Sequence, residues 1–174
     1  MDKGLVLVTT GDGKGKTTAA LGTALRALGQ GLRVAILQFI KNQETGESRF
    51  LADYAARRPE SLFYRRLGLG CFRGRPGPED LAKAAEALAL ARELAAADYG
   101  LLVLDEICVA AALGLIETAE VVRLIETRRP DLHLFLTGRG AAPEIVALAD
   151  TVTEMKPIKH AYERGVSAKR GLEF

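Results

Sequence analysis

Apolar and polar positions along the chain fall into two alternating kinds of block. Residues 5–8 (Leu-Val-Leu-Val), 34–37 (Val-Ala-Ile-Leu), 101–104 (Leu-Leu-Val-Leu) and 133–137 (His-Leu-Phe-Leu-Thr) are short, mostly apolar runs. Runs of this length without alternation predict strands buried on both faces. Residues 151–155 (Thr-Val-Thr-Glu-Met) read as a further strand. Between these runs the period lengthens to that of a helix. Residues 17–28 place Ala20, Leu21, Ala24, Leu25 and Leu28 on one face, and Gly29 and Gly31 can end the helix. Pro78-Glu79-Asp80 opens a second helix with proline and acidic residues in its first turn, and Leu81, Ala84, Ala85, Leu88 and Ala91 form its stripe. Helices are also expected over 118–128, stopped by Pro130, and over 143–149.

The stretch 39–75 is the least regular. A short helix over 50–56 and a strand over 62–66 are readable in it, and Gly68, Gly70, Gly74, Pro76 and Gly77 mark it as rich in loops. Strands alternating with helices predict a parallel sheet covered on both faces. Ligands of such sheets gather beyond the carboxyl ends of the strands. The turns after Val8, Leu104 and Leu136 are therefore candidates for one shared site.

The turn after the first strand carries the most specific chemistry: Thr10-Gly11-Asp12-Gly13-Lys14-Gly15-Lys16-Thr17, followed by Thr18. Gly15-Lys16-Thr17 match the closing half of the phosphate-binding pattern G-x-x-x-x-G-K-[ST], while its first glycine would fall on Thr10. Glycines let successive N–H groups turn inward, the following helix points its positive end at the same spot, and Lys16 adds a cation. Thr17 can ligate Mg²⁺, and an ordinary Gly-rich strand-to-helix turn is the alternative. Such a site needs an acidic group at the end of a buried strand. Asp105-Glu106 supply it, unless Asp105 only caps the helix that follows. Arg139, in Thr137-Gly138-Arg139-Gly140, can reach phosphates or a substrate carboxylate, or can be a solvated turn residue. The fold class is thus α/β: a P-loop NTPase-like (RecA-like), mostly parallel sheet with helices on both faces.

Composition narrows the function classes. A length of 174 residues fits one domain, and 24 basic against 22 acidic residues leave no general footprint for nucleic acid or an anionic membrane. No apolar run reaches the length of a membrane span, and no signal-peptide core follows Met1. Cys71 and Cys108 form no CxxC pair, which argues against zinc and suits a reducing compartment. The chain is expected to be soluble and cytoplasmic. Its phosphate site would serve ATP hydrolysis, phosphoryl transfer or nucleoside transfer; the motif alone does not choose.

The sequence as a whole resembles the corrinoid adenosyltransferases of the P-loop group. The likeness begins with 11–20 (Gly-Asp-Gly-Lys-Gly-Lys-Thr-Thr-Ala-Ala), in a family whose loop also lacks the first glycine. It continues through Gln38-Phe39-Ile40-Lys41, Val103-Leu104-Asp105-Glu106-Ile107, Thr137-Gly138-Arg139-Gly140, Leu148-Ala149-Asp150 and Thr153-Glu154-Met155. It ends with Lys159-His160-Ala161-Tyr162, Gly165, Ala168 and Gly171-Leu172-Glu173-Phe174.

The resemblance implies an ATP:corrinoid adenosyltransferase, a transferase of an alkyl group other than methyl. The Co(I) of cob(I)alamin or cob(I)yrinic acid a,c-diamide would take the 5′-deoxyadenosyl group of ATP and release triphosphate, in adenosylcobalamin biosynthesis or salvage. Gly11, Asp12, Gly13, Lys14, Gly15, Lys16, Thr17, Thr18 and Arg139 would hold the phosphates. Lys16, Thr17 and Glu106 would be catalytic. Thr17, Glu106 and Asp105 would hold Mg²⁺, with Mn²⁺ as the alternative metal. Phe72 and Arg73 would meet the corrin, although the family's Gly-Phe-Thr-Trp segment here reads Gly70-Cys71-Phe72-Arg73. The same region carries Arg57, Arg58, Arg65, Arg66, Arg73 and Arg75, a basic surface loop or a guide for an anionic substrate. A flavoprotein reductant and a homodimer are further implications. Residues 156–174 would cover the site or the partner subunit. The competing readings are a P-loop ATPase or small-molecule kinase, and a non-catalytic nucleotide-gated corrinoid-binding module.

Overall fold

A computed structural model describes residues 3–68, 70 and 76–174. The elements run β1 (Val6–Thr10), α1 (Lys16–Gly29), β2 (Val34–Gln38), α2 (Gly46–Arg57), β3 (Leu62–Arg66), α3 (Pro78–Ala96) and β4 (Leu101–Asp105). Then come α4 (Ile107–Ala112), α5 (Thr118–Thr127), β5 (His133–Thr137), α6 (Pro143–Leu148), β6 (Thr151–Glu154) and a 3-10 turn over Ala161–Arg164. Six strands form one sheet in the order β3-β2-β4-β5-β1-β6, and every pairing is parallel. All six carboxyl ends therefore lie along one edge.

The pleat divides the core in two. Val34 and Ile36 of β2, Leu101 and Val103 of β4 and Phe135 of β5 pack beneath Ala20 and Ala24 of α1 and Leu51 of α2. Ala35, Leu37, Leu102, Leu104, Leu134 and Leu136 point the other way, under α3, α5 and Ile145 of α6. With a packed layer on each face, the inner strands need apolar residues at every position, which is why they read as unbroken runs.

The helix starts follow local chemistry. Thr45 and Ser48 bond reciprocally at the start of α2, and the Gly77 N–H donates to Asp80 at 2.9 Å ahead of Pro78. Helix α3 buries Ala84, Ala87, Leu88, Ala91, Leu94 and Ala95. Its stripe is shifted from the expected one, because Leu81 and Ala85 face solvent. Leu25 of α1 is likewise exposed. Helix α2 starts four residues ahead of the expected 50–56 segment, and the helix placed after Asp105 without bounds is the short α4, whose N-cap is Glu106 and which no side chain caps. Strand β6 forms as expected but lies on an edge, exposed at all four positions. Asp150 pins it: its carboxylate accepts from the Val6 N–H at 2.8 Å, and its own N–H donates to the Val6 carbonyl at 2.9 Å.

The turn after β5 packs against the start of α4. Gly138 has φ 139°, and a Cβ there would stand 2.7 Å from the Val109 nitrogen and 2.9 Å from the Cys108 Cβ. Gly22, inside α1, has open space at the same atom. The two glycines therefore predict opposite signs in urea unfolding. Gly138→Ala should lower stability by about 1–3 kcal/mol through strain and overpacking. Gly22→Ala should raise it by about 0.5–1 kcal/mol through helix propensity. Equal effects would contradict the backbone described here.

Candidate active site

Strand β1 ends in a loop that turns back over the start of α1. Gly11 and Gly15 adopt φ of 91° and 112°, which only glycine holds without strain. A Cβ on Gly11 would also lie 2.5 Å from the Met155 carbonyl oxygen. The loop leans on β6, with the Gly13 N–H donating to that same carbonyl at 2.7 Å. Helix α1, 14 residues long, has no side-chain cap and no acidic residue in its first turn. Its leading N–H groups are left for an anion.

Lys16 curls over this loop and donates from Nζ to the carbonyls of Gly11 (2.6 Å) and Gly13 (2.7 Å). Burial first, and then the Arg139 charge, hold its ammonium below the ordinary lysine range. Arg139 lies against Asp12, Nε to Oδ1 at 3.5 Å. Lys14 reaches the C-terminal segment, donating to the Leu172 carbonyl at 2.7 Å and pairing with Glu173 at 2.6 Å.

Asp105, at the end of β4, is fully buried and accepts four hydrogen bonds. Its Oδ1 takes Thr17 Oγ1 (2.9 Å) and Thr137 Oγ1 (2.7 Å). Its Oδ2 takes Gln38 Nε2 (3.0 Å) and Lys41 Nζ (2.8 Å). Glu106 stands next to it with φ 66°, and its N–H donates to Thr137 Oγ1 at 2.9 Å. The Glu106 carboxylate faces the cleft. Burial first, and then the Asp105 charge, raise its pKa above the usual carboxylate range. Lys41 completes the group: Nζ donates to Thr17 Oγ1 at 2.6 Å and lies 3.7 Å from Glu106 Oε1. Among the described residues no buried side-chain nitrogen or oxygen lacks a partner.

These groups border a cleft of about 440 Å³ lined by Asp12, Gly13, Lys14, Gly15, Lys16, Thr17, Thr18, Lys41, Glu106 and Arg139, with His160, Tyr162 and Glu173 of the C-terminal segment. A second, mostly apolar groove of about 540 Å³ continues from it along α1 and α2, past Leu21, Leu25, Phe50 and Leu51 to Phe174. The two share Thr17, Thr18, Glu47, Leu172 and Glu173.

The residues expected to bind phosphate and metal are thus brought to one edge of the sheet. Phe72 and Arg73, expected at the corrin, lie outside the described residues. The nearby arginines are engaged locally. Arg57 pairs with Asp53, Arg58 with Glu60, and Arg66 donates to the Gln43 carbonyl. Lys41, Gln38 and Thr137 had no assigned role in the sequence reading. The signals for them are their position at or just past strand ends on the edge that carries the loop, and their place in two segments by which the chain resembles its family.

Among the described residues no group of three His, Cys, Asp or Glu side chains is placed to hold a metal. Mg²⁺ needs no such group, since it keeps waters and binds through one or two carboxylates plus phosphate oxygens. The donor set fits a cation: the Thr17 proton is committed to Asp105, so its lone pair faces the cleft, where the Lys41 ammonium meets it. No described helix is long and apolar enough to cross a membrane.

A parallel six-stranded sheet with a glycine-rich loop between β1 and α1 defines a P-loop nucleotide-binding α/β protein. A KaiC-like protein from Pyrococcus horikoshii OT3 shares this fold, with a TM-score of 0.54 over 90% of this chain and 74% of that one, at 18% identity. The sequence model of the family described as ATP:corrinoid adenosyltransferase BtuR/CobO/CobP matches residues 2–174. The chain is 42% identical to a corrinoid adenosyltransferase of Pseudomonas aeruginosa, over 99% of its own length and 85% of the relative's. It is 36% identical to one of Escherichia coli K12, over 99% and 87%. The chain belongs to the ATP:corrinoid adenosyltransferase family.

Removing the buried carboxylate tests how the site is held. Asp105→Ala strands Gln38, Thr17, Thr137 and the Lys41 charge, and should cost about 3–5 kcal/mol in urea unfolding, as breaking a buried ion pair does. A loss below about 1 kcal/mol would mean that these donors find other partners and that Asp105 does not organise the edge.

Proposed function

We propose that the chain transfers the 5′-deoxyadenosyl group of ATP to the Co(I) centre of a corrinoid such as cob(I)alamin or cob(I)yrinic acid a,c-diamide. The observation that carries this reading, beside family membership, is a phosphate cradle that opens directly into an apolar groove. One end suits a triphosphate and the other a large, flat ring with apolar faces and a polar edge.

In the transfer, an electron pair on Co(I) forms the bond to C5′. The C5′–O bond breaks, its pair stays on the triphosphate oxygen, and cobalt ends as an alkylated Co(III). No proton moves, so no general base is required. The loop therefore stabilises a leaving group. The backbone N–H groups of Lys14, Gly15 and Lys16, the Lys16 ammonium and Arg139 would face the oxygens on which charge grows, while the Gly13 N–H stays with the Met155 carbonyl, and preorganised charge of this kind is often the largest catalytic contribution. Lys16 is held over the loop by the Gly11 and Gly13 carbonyls, and these are the partners it would exchange for phosphate oxygens. Thr17 and Glu106 would hold Mg²⁺, with Mn²⁺ as a substitute, and Asp105 would act by fixing the Thr17 hydroxyl. The metal adds positive charge against the departing triphosphate. Leu172 and Glu173 line both clefts and Phe174 lines the apolar one, which supports a role for the segment 156–174 as a cover. To this reading also belong a cytoplasmic location, Co(I) supplied by a flavoprotein reductant, and a homodimer.

Anaerobic incubation with MgATP and reduced cob(I)alamin should yield triphosphate in step with a light-sensitive adenosylcorrinoid. Lys16→Met and Glu106→Gln should each lower kcat about 100-fold or more, the scale of losing one preorganised charge contact. ADP as the nucleotide product, with the corrinoid unchanged, would replace this reading by that of an ATPase or kinase.

Phe50 is 59% exposed on the wall of the apolar groove, so its removal tests the groove without disturbing the core. Phe50→Ala should raise the corrinoid KM about tenfold, as losing part of an aromatic contact does, and leave the KM for ATP unchanged. An unchanged corrinoid KM would place the corrin elsewhere.

A further inference from the structure

Lys41 has no part in the reaction described above, yet its backbone is bent to deliver it. The residue before it, Ile40, has φ 61°, a left-handed conformation that a β-branched side chain adopts only under strain. A tight three-residue turn forms around it, with the Lys41 N–H donating to the Phe39 carbonyl at 2.5 Å. The Gly70 N–H holds the Ile40 carbonyl at 2.7 Å, and Gly68 approaches the same residue so closely that a Cβ would stand 1.8 Å from its carbonyl carbon. The turn is over-determined from both sides.

Its result is a fixed-length tether that sets an ammonium among Thr17 Oγ1 (2.6 Å), Asp105 Oδ2 (2.8 Å) and Glu106 Oε1 (3.7 Å). Those oxygens are the ones that the functional reading gives to the metal's surroundings. We infer that the Lys41 ammonium is an internal placeholder cation: it occupies the metal position of the free protein and yields that position to the cation that arrives with the nucleotide. The inference rests on the assignment of the metal to Thr17 and Glu106.

Two consequences follow from charge balance. A free divalent ion must displace Lys41 without giving its charge a new partner, so it binds poorly on its own. A metal–nucleotide complex brings phosphate oxygens into the same cleft, which Lys41 also lines, so the displaced ammonium can turn to them. The metal is thereby admitted only in company with its nucleotide, and the two carboxylates never stand without a counter-charge.

The test is Mn²⁺ binding measured by electron paramagnetic resonance, with and without ATP. Without ATP, Lys41→Met should bind Mn²⁺ at least tenfold more tightly than the parent protein, and Lys41→Arg should restore the parent's weak binding. Lys41→Gln, which keeps a donor for Asp105 but no charge, should behave like Lys41→Met; it also covers the case in which Lys41→Met does not fold, as judged by thermal melting. Glu106→Gln should release or alter the Mn²⁺ signal of the ATP complex. If Glu106→Gln has that effect while neither neutral Lys41 variant tightens ATP-free binding, the placeholder role is overturned and the metal assignment stands. If Glu106→Gln leaves the signal untouched, the metal assignment fails and the placeholder role fails with it.

Discussion

The site depends on the burial of one carboxylate. Asp105 has no solvent contact, and a charge in that position is tolerable only with its acceptor sites filled. The four donors that fill them come from the first turn of α1, the end of β2, the strained turn after β2 and the end of β5. One group thereby ties the phosphate loop's helix to three strand ends. The chain of contacts extends further: Gln38 accepts from the Tyr64 hydroxyl at 2.7 Å, which brings in β3, and Thr137 accepts from the Glu106 N–H. Because the sheet is parallel throughout, all these ends share an edge, and a single carboxylate can reach them.

This arrangement separates two tasks that a nucleotide site must combine. Asp105 spends its lone pairs on the protein and sets the direction of neighbouring groups. Glu106, turned outward by a left-handed backbone, keeps its carboxylate for the cleft. The adjacent pair read from the sequence as two metal ligands is thus an organiser and a candidate ligand. On the other side of the cleft, β6 performs an equivalent service for the loop. Its pairing with β1 puts the Met155 carbonyl under the Gly13 N–H, so an exposed edge strand, with nothing to contribute to the core, supports the phosphate cradle.

Much of this was legible because buried parallel strands and the phosphate loop leave strong local signals. Four unbroken apolar runs marked β1, β2, β4 and β5, and the Gly-Lys-Thr triplet marked the start of α1. The extent of helix α4 was not legible: six residues between β4 and α5 make fewer than two turns, too few to show a helical period. The stripes of α1 and α3 were drawn too wide, since Leu25 and Ala85 satisfy the spacing but not the packing. Lys41 was illegible for a different reason. The segment Gln38-Phe39-Ile40-Lys41 marks a likeness but assigns the lysine no role, and its placement comes from a turn that only the backbone reveals. Asp150 shows the converse. It belongs to a segment by which the chain resembles its family, and its contacts with Val6 are architectural.

Among the described residues, two non-glycine residues hold positive φ, and both stand at the charged cluster around Asp105: Ile40 immediately before Lys41, and Glu106 itself. Left-handed backbone in such residues costs of order 1–3 kcal/mol each and persists where the surroundings over-determine it. Here the surroundings are closely packed, with Phe39, Leu104, Asp105 and Ile107 all fully or almost fully buried beside the two turns. A relaxed backbone would turn Lys41 and Glu106 away from Thr17, leaving Asp105 short of its one cationic partner. The strain at both turns and the burial of Asp105 are therefore one design. The core holds the turns, the turns hold the charges, and the charges make the buried carboxylate tolerable. In a cleft assembled this way Thr17, Asp105 and Glu106 stand in fixed positions before any ligand arrives, so that admitting a triphosphate with its cation would require only the Lys41 ammonium to change partners, and fixed groups of this kind are what stabilise a leaving group's charge at little cost in reorganisation.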